Sequence, residues 1–298
     1  MGEGGALTAV PGSGKRIVAS TLADFSGIRI AINQVEYTNS PQGPVIHIFG
    51  RDVNGAAVHL EVTGFRPYFY APFEEVAGAQ LPSGIDVEAD REYRSIRGDA
   101  LTRMYTRRPT DVREYRERFH HHEADIPFAT RFLIDTGLTG GVEAPALQAD
   151  YHALRPAEVN APARICILDI ECEDERGLPE PDRDRIIAIT CWDSFQDDYT
   201  SFVFPAEDGA PVPAAPASGG GGTVGVCRDE KEMILAFARY LQERDPDVLS
   251  GWNILVFDVP YILGRMEALG MNPAILARLE ERTERVALRG RALFDLLD

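Results

Sequence analysis

Two acidic side chains at the end of an apolar segment are the residues best suited to chemistry in this sequence. Asp169 ends the segment 164–169, whose near-continuous apolar character is typical of a strand buried on both faces, and Glu171 follows two residues later. Side chains two residues apart on a strand point to the same side, so the two carboxylates lie together. Mg²⁺ prefers such oxygen ligands. The pair predicts a hard-metal site, with a solvated acidic strand end as the alternative.

A second group of residues agrees with this site. The segment 250–261 contains Asn253, Phe257 and Asp258 in the pattern N-x-x-x-F-D, followed by Pro-Tyr. This pattern resembles the second exonuclease motif of family B DNA polymerases, and the D-I-E sequence at 169–171 resembles the first. Their order, their spacing and the helix expected between them fit the same family, which leaves chance co-occurrence as the alternative.

The resemblance implies the chemistry of the site. Family members hydrolyse DNA from the 3′ end with two divalent cations, Mg²⁺ or Mn²⁺, about 4 Å apart. By resemblance, Asp169 bridges both cations, Glu171 binds one and helps to position the attacking water, and Asp258 holds the other, directly or through water. Asn253 and Phe257 contact the strand that is trimmed. For Phe257, packing in the core is an equal alternative.

One ligand of the family's site is missing from the 298 residues. The final carboxylate comes from a Y-x-x-x-D helix, but no tyrosine follows Tyr261, and the only later aspartates are Asp295 and Asp298. The stretch 290–296 resembles the strand that precedes this helix. We therefore expect a truncated chain with an incomplete two-metal site, weak metal binding and little or no nuclease activity of its own.

The first half of the chain carries a further resemblance. Residues 64–71 (GFRPYFYA) and 124–135 (ADIPFATRFLID) resemble the N-terminal domain of archaeal replicative polymerases. These relatives use that domain to detect template uracil in a tight pocket. The matching wall positions are Pro67, Tyr68, Leu101 and His122. The family usually has phenylalanine at the last of these, and packing in a small β domain is the alternative for all four.

Basic residues cluster in one stretch of an otherwise acidic chain. The net charge is −17, yet nine arginines and five acidic residues lie between positions 91 and 118. A local surplus of this kind is typical of phosphate binding. The candidates for DNA contact are Arg103, Arg107 and Arg108. A solvated helix with i, i+4 ion pairs such as that of Arg113 with Glu117 is the alternative.

The composition restricts the class of protein. Forty-seven acidic against 30 basic residues exclude a generally basic nucleic-acid coat and disfavour anionic membranes. Only Lys15 and Lys231 are lysines, a bias shared with salt-adapted archaea, for which a high-GC genome is the alternative. No apolar run approaches the roughly 18 residues of a membrane span. The four cysteines lack metal-site spacing, which predicts a cytoplasmic protein with reduced thiols.

Local patterns predict the elements that position these residues. Asn54-Gly55 between two alternating runs predicts a hairpin. Strands are expected at 100–106, 186–192 and 200–204, and a surface loop or insertion rich in proline and glycine at 205–222. Helices are expected to begin at Pro109, after a cap at Asp229, and at Pro260.

The expected architecture is an α+β N-terminal domain followed by an α/β ribonuclease-H-like exonuclease domain, with a mixed sheet flanked by helices. The expected ranges are a flexible tail at 1–16, a template-binding domain at 17–140, a linker at 141–163 and an incomplete exonuclease domain at 164–298.

The expected function is that of the N-terminal part of an archaeal, haloarchaeal replicative DNA polymerase. Its partners would be the single-stranded template, the primer 3′ end, the remaining polymerase domains and a sliding clamp, with no membrane. The alternatives are a stand-alone exonuclease of the same superfamily and a non-catalytic module that binds single-stranded nucleic acid.

Overall fold

The computed structural model describes residues 27–88, 92–174, 177–204, 222–279 and 288–297. The strands are β1 (Ile28–Ser40), β2 (Gly43–Asp52), β3 (Ala57–Thr63), β4 (Tyr68–Pro72), β5 (Asp86–Val87), β6 (Tyr93–Arg94), β7 (Ala100–Tyr105), β8 (Gly141–Ala144), β9 (Gln148–Asp150), β10 (Arg155–Pro156), β11 (Ile165–Cys172), β12 (Ile186–Asp193), β13 (Asp198–Val203), β14 (Gly222–Val226), β15 (Val248–Gly251) and β16 (Ala292–Asp295). The helices are α1 (Phe73–Ala77), α2 (Pro109–Arg116), α3 (Phe128–Thr136), α4 (Glu230–Arg244) and α5 (Asp258–Ala268), with short 3₁₀ turns at Tyr151–Ala153 and Pro273–Leu276. The expected tail at 1–16, residue Asp298 and nearly all of the expected 205–222 loop lie outside the described residues.

A six-stranded sheet in the order β10-β8-β1-β2-β3-β9 dominates the first part of the chain. β2 and β3 form the hairpin predicted from Asn54-Gly55, and Gly55 has the positive φ, 80°, that such a turn requires. β8, β9 and β10 pair three short segments within 141–156 into this sheet, where the sequence predicted a linker. These strands are two to four residues long, too short for an alternating pattern to reveal them.

A smaller sheet in the same part of the chain has the order β4-β7-β5, with β6 also beside β7. β7 confirms the strand predicted at 100–106 to within one residue, and α2 begins at Pro109 as predicted. Asp111 accepts the backbone N–H of Arg108 at 2.9 Å, which fixes the start of the helix. Val112 packs from the helix into a small core with Phe69. The helix therefore follows β7 directly and lies against this sheet.

The third sheet has the order β14-β13-β12-β11-β15-β16. β11, β12 and β13 are antiparallel neighbours, whereas β15 is parallel to β11 and β16 is parallel to β15. The prediction that β11 is buried on both faces is wrong: Leu168 and Ile170 are buried, but Ile167 and Asp169 are exposed. Helices α4 and α5 contribute to the core on the buried side, and the exposed side carries the candidate carboxylates.

Two helices cover the buried side of the third sheet. α4 is capped as predicted, because the Asp229 carboxylate accepts the backbone N–H of Glu232 at 2.8 Å. α5 begins at Asp258, two residues before the predicted start at Pro260. Proline is tolerated in a first turn because the N–H it lacks would have no helical partner there. The earlier start places Asp258 itself in the first turn of the helix.

The two halves of the chain meet through buried ion pairs. Arg51 on β2 pairs with Asp247, the residue before β15, and both side chains are buried. Asp247 also accepts the N–H of Arg164 at 2.8 Å. Glu36 on β1 accepts from Arg289 Nε at 2.8 Å. These contacts fix the first sheet against the loops that lead into β11, β15 and β16.

A row of polar side chains crosses the first sheet beside these contacts. Glu36, His47 and Glu61 are directly opposite one another on β1, β2 and β3. His59 is two residues from Glu61 and therefore shares its face. Burial lowers the pKa of His47 to about 4, and it lowers the pKa of His59 as well. Both imidazoles are therefore neutral near pH 7.

No helix within the described ranges is long and apolar enough to cross a bilayer. All four cysteines are free thiols, and three of them, Cys166, Cys191 and Cys227, are buried. Burial raises the pKa of the Cys227 thiol, so it packs as a small neutral side chain.

Candidate active site

The carboxylates of Asp169 and Glu171 lie on the exposed side of β11, as their spacing predicted. β11 is an interior strand, hydrogen-bonded to β12 on one side and to β15 on the other. Its position is constrained further by Gly251, where an added Cβ would lie 2.5 Å from the Leu168 carbonyl oxygen. The two carboxylates therefore lie on an interior strand of the sheet and are exposed to solvent.

The turn after β15 has a specific backbone requirement at Asn253. This residue adopts a left-handed φ of 63°, a conformation that asparagine reaches more readily than most residues. Its N–H donates to Asp295 Oδ1 at 2.9 Å, and the N–H of Leu255 donates to Asp295 Oδ2 at 3.1 Å. The Asn253 carbonyl in turn accepts the N–H of Phe257 at 2.9 Å. The turn thus delivers the chain to the start of α5.

Asp258 reaches β11 from the first turn of α5. Its side chain is buried, and Oδ1 accepts the backbone N–H of Ile170 at 3.2 Å, between the two strand carboxylates in sequence. Burial, together with the negative charge of Asp169, raises the pKa of Asp258 to about 6. The structure therefore brings Asp258 to the same place as Asp169, at an electrostatic cost that a bound cation would remove.

The donor set suits a hard cation. Three carboxylates supply only oxygen ligands, which is the choice of Mg²⁺ and Mn²⁺. The three carboxylates do not form a closed cage for a single ion. Among the described residues, the trio whose ligand atoms all lie within 4.8 Å of one another is His47, His59 and Glu61. A spread set open to solvent on the Asp169 side fits cations that keep water and phosphate as further ligands.

Asp295 is a site residue whose role the sequence did not reveal. Besides the N–H groups of Asn253 and Leu255, it accepts that of Leu297 at 2.9 Å, and these bonds lower its pKa. Both carboxylate oxygens therefore hold backbone. The pairing of Gly251 with Asp295 on parallel strands creates this contact, and no local spacing in the sequence could have indicated it.

The aromatic residues near the turn divide into packed and exposed ones. Phe257 packs against the core, with its ring 5.4 Å from that of Tyr261. This contact favours the packing interpretation of Phe257. Trp252, which the sequence analysis did not single out, is 66% exposed at the same turn, and Val256 is 76% exposed. An exposed indole at this turn is a surface on which a nucleobase can stack.

Arg103 is not available to a phosphate in the way the sequence suggested. Its guanidinium lies 4.3 Å from the ring centre of Tyr68 and 4.5 Å from that of Tyr93. It donates to the Tyr70 hydroxyl at 2.7 Å and lies 3.6 Å from the carboxylate of Glu88. This residue holds an aromatic cluster together. By contrast, Arg107 and Arg108 are exposed at the start of α2.

The four proposed pocket residues do not share one cavity. Leu101 and His122 line an open cavity of about 750 Å³ together with Tyr70, to which His122 is paired by a backbone bridge. Pro67 and Tyr68 are buried away from that lining. The Tyr68 hydroxyl donates to Asp135 at 2.6 Å, so this hydroxyl has a hydrogen-bond partner within the protein.

Comparisons with known proteins agree with this arrangement of residues. The family model "DNA polymerase family B, exonuclease domain" matches residues 119–293. DNA polymerase 2 of Aeropyrum pernix is 29% identical, covering 93% of this chain and 37% of its own length. The DNA polymerase delta catalytic subunit of Arabidopsis thaliana is 25% identical, covering 83% and 28%.

Among solved structures, the family B DNA polymerase from Pyrobaculum calidifontis aligns with a TM-score of 0.70 at 25% identity, covering 91% of this chain and 37% of that one. The chain thus spans about a third of the length of these relatives. They include archaeal and plant proteins, so they do not single out a haloarchaeal source. Because the family model matches more than half of its residues, the chain belongs to the exonuclease-domain family of family B DNA polymerases.

Proposed function

We propose that the carboxylate site removes nucleotides from DNA 3′ ends with two Mg²⁺ or Mn²⁺ ions. The observation that carries this proposal is the burial of Asp258 beside Asp169 and Ile170, with a raised pKa. When bound, the two cations supply an activated water and stabilise the leaving 3′ oxygen. Asp169, Glu171 and Asp258 are the residues that would hold them.

The residues around the carboxylates have separate tasks in this proposal. The Ile170 N–H donates to Oδ1 of Asp258 and thereby restricts the rotamer of this side chain. Asn253 would contact the DNA strand being trimmed with its side-chain amide. Asp295 holds the turn that carries this residue. The exposed Trp252 offers a stacking surface for a base near the 3′ end.

The first test measures Mn²⁺ binding by calorimetry on the native chain and on Asp169→Ala. We expect weak binding, because three carboxylates hold two close dications poorly, and at least tenfold weaker binding in the variant. The matched control is Asp125→Asn, an exposed aspartate in the first part of the chain. Identical isotherms for native and Asp169→Ala protein would contradict the assignment.

The second test follows trimming of 5′-labelled single-stranded DNA with Mg²⁺ or Mn²⁺. We expect slow shortening from the 3′ end that Asp169→Ala and Asp258→Ala remove. Undiminished trimming in these variants would show that the site lies elsewhere. DNA binding with neither trimming nor Mn²⁺ binding would favour a non-catalytic, single-strand-binding module.

For the first part of the chain we propose template binding, with uracil taken into the cavity beside Leu101 and His122. Arg107 and Arg108, exposed at the start of α2, would contact backbone phosphates. In an anisotropy titration at fixed salt, uracil-containing strands should bind more tightly than thymine-containing strands. Leu101→Ala should reduce the difference, whereas Arg107→Ala should weaken both strands equally. Equal affinities for the two strands would remove the uracil proposal.

At the level of the whole protein, we propose that this chain works as part of an archaeal replicative DNA polymerase, beside the remaining polymerase domains and a sliding clamp. Supporting this are the relatives' names and the share of their length that the chain covers. The size of the native protein in cell extract, measured with an antibody against this chain, tests it. A native protein of only about this chain's 32.8 kDa would favour the stand-alone exonuclease.

A further inference from the structure

We propose a second metal site, for Zn²⁺ or a similar borderline transition-metal ion, formed by His47, His59 and Glu61 on the first sheet. The ligand atoms of these three side chains all lie within 4.8 Å of one another. The site is separate from the carboxylates of β11, and it is independent of the proposed nuclease function. Two imidazoles and one carboxylate form a donor set that Zn²⁺ binds in proteins, with a water as the fourth ligand.

The sheet itself assembles the trio. His47 is directly opposite Glu61 across the β2–β3 ladder, and His59 is one step along the same face. The ring nitrogens Nδ1 of His47 and Nε2 of His59 face each other at 2.9 Å. A tetrahedral zinc ion about 2.0–2.1 Å from each nitrogen would set them about 3.3 Å apart. A shift of a few tenths of an ångström, well within side-chain rotation, is therefore sufficient.

The outer partners of two ligands are already in place. Thr38 Oγ1 lies 2.7 Å from Nε2 of His47, so a donated Nε2–H leaves the Nδ1 lone pair directed at the site. Gln148 donates to Oε2 of Glu61 at 2.9 Å, which orients the carboxylate. Metal ligands in proteins commonly have such partners, and removal of one typically costs about 10–100-fold in affinity.

The surrounding charges allow a cation. Arg289 and Arg278 are the positive groups that face the histidines. Arg289 is paired with Glu36, and Arg278 with Asp245 and Asp247. A cavity of about 220 Å³ reaches His59 past Phe49 and Arg278, which gives an ion a route from solvent.

The test is a Co²⁺ titration of untagged protein, followed by visible absorption, and a competition with Zn²⁺. The Asp169→Ala background weakens competing binding at β11. We expect one equivalent with the spectrum of a four-coordinate nitrogen–oxygen site. His59→Gln and Glu61→Gln should lose at least tenfold in affinity together with that spectrum. Thr38→Val should lose about 10–100-fold while keeping the spectrum.

The matched control is His121→Gln, which removes an exposed histidine from the run at 120–122. It should leave the spectrum unchanged, and circular dichroism should show that all variants are folded. Retained Co²⁺ affinity and spectrum in both His59→Gln and Glu61→Gln would overturn the proposal. So would a failure of the folded native protein to bind Co²⁺ or Zn²⁺ at millimolar concentration.

Discussion

The carboxylate site and the tyrosine cluster around Arg103 are built in different ways. Backbone geometry makes the carboxylate site: strand alternation at Asp169, a left-handed residue at Asn253 and a close strand approach at Gly251. Side chains make the tyrosine cluster, where the Arg103 guanidinium lies among rings from several strands. Backbone-built sites tolerate few substitutions, whereas a side-chain cluster can lose one member and keep its fold.

The largest effect is expected for Gly251→Ala. The new Cβ would lie 2.5 Å from the Leu168 carbonyl oxygen, so β15 must move away from β11. We expect the free energy of unfolding to fall by about 2–3 kcal/mol and Mn²⁺ binding to weaken at least tenfold. Urea unfolding and calorimetry measure the two quantities. Gly140→Ala, with nothing within 4 Å of its Cβ, should change neither, and equal effects at both glycines would refute the backbone argument.

The pH dependence of the free energy of unfolding should have opposite signs for Asp258 and for His47. The pKa of Asp258 rises in the fold from 3.8 to about 6, so its stabilising contribution is complete below pH 3.8 and is lost as the pH rises through 6. The pKa of His47 falls from 6.5 to about 4, because burial, the charge of His59 and that of Arg289 outweigh Glu61 and Glu36. Stability is therefore lost there as the pH falls from 6.5 to 4.

Two variants in EDTA separate these contributions. At pH 8, Asp258→Asn should be more stable than the native chain by about 2 kcal/mol, at about 1.4 kcal/mol per pKa unit reduced for solvent screening. That gain should shrink toward pH 4. His47→Gln should instead flatten the loss of stability between pH 6.5 and 4. Parallel pH profiles for native and both variants would contradict the two assignments.

A smaller effect is expected for Arg103→Met. The variant keeps the aliphatic stem but removes the cation from the rings of Tyr68 and Tyr93, worth about 1–2 kcal/mol for a partly desolvated contact. Thermal unfolding measures this loss, and Mn²⁺ binding should remain native. Arg94→Met is the control, because that side chain is 63% exposed. A loss of Mn²⁺ binding in Arg103→Met would mean that the two regions are not independent.

The smallest effect is the response to salt. The net charge of −17 repels itself, and at molar salt the Debye length falls to about 3 Å. We expect the melting temperature to rise steadily toward molar KCl, by about 2–4 °C for each kcal/mol of relieved repulsion. Sodium sulfate and KCl at equal ionic strength separate screening from general salting-out. A flat or falling curve would favour the high-GC explanation of the composition.

Sequence by itself determined the family, the hairpin at Asn54-Gly55, the cap at Asp229 and the shared side of Asp169 and Glu171. Each of these depends on residues only a few positions apart, so local steric and hydrogen-bonding rules are sufficient. The D-I-E and N-x-x-x-F-D patterns belong to the same class of local signal. The residues' individual roles in hydrolysis remain predictions.

Tertiary structure alone decided the features that depend on distant pairing. Three short segments within 141–156 became strands because β1 and β3 were available to pair with β8 and β9. Asp295 became the clamp of the Asn253 turn because β16 lies parallel to β15. The outer side of β11 is exposed because α4 and α5 both contribute to the core on the opposite side. Strand register also places Arg103 against tyrosine rings and His47 beside His59. In both cases it brings together side chains that are apart in the sequence.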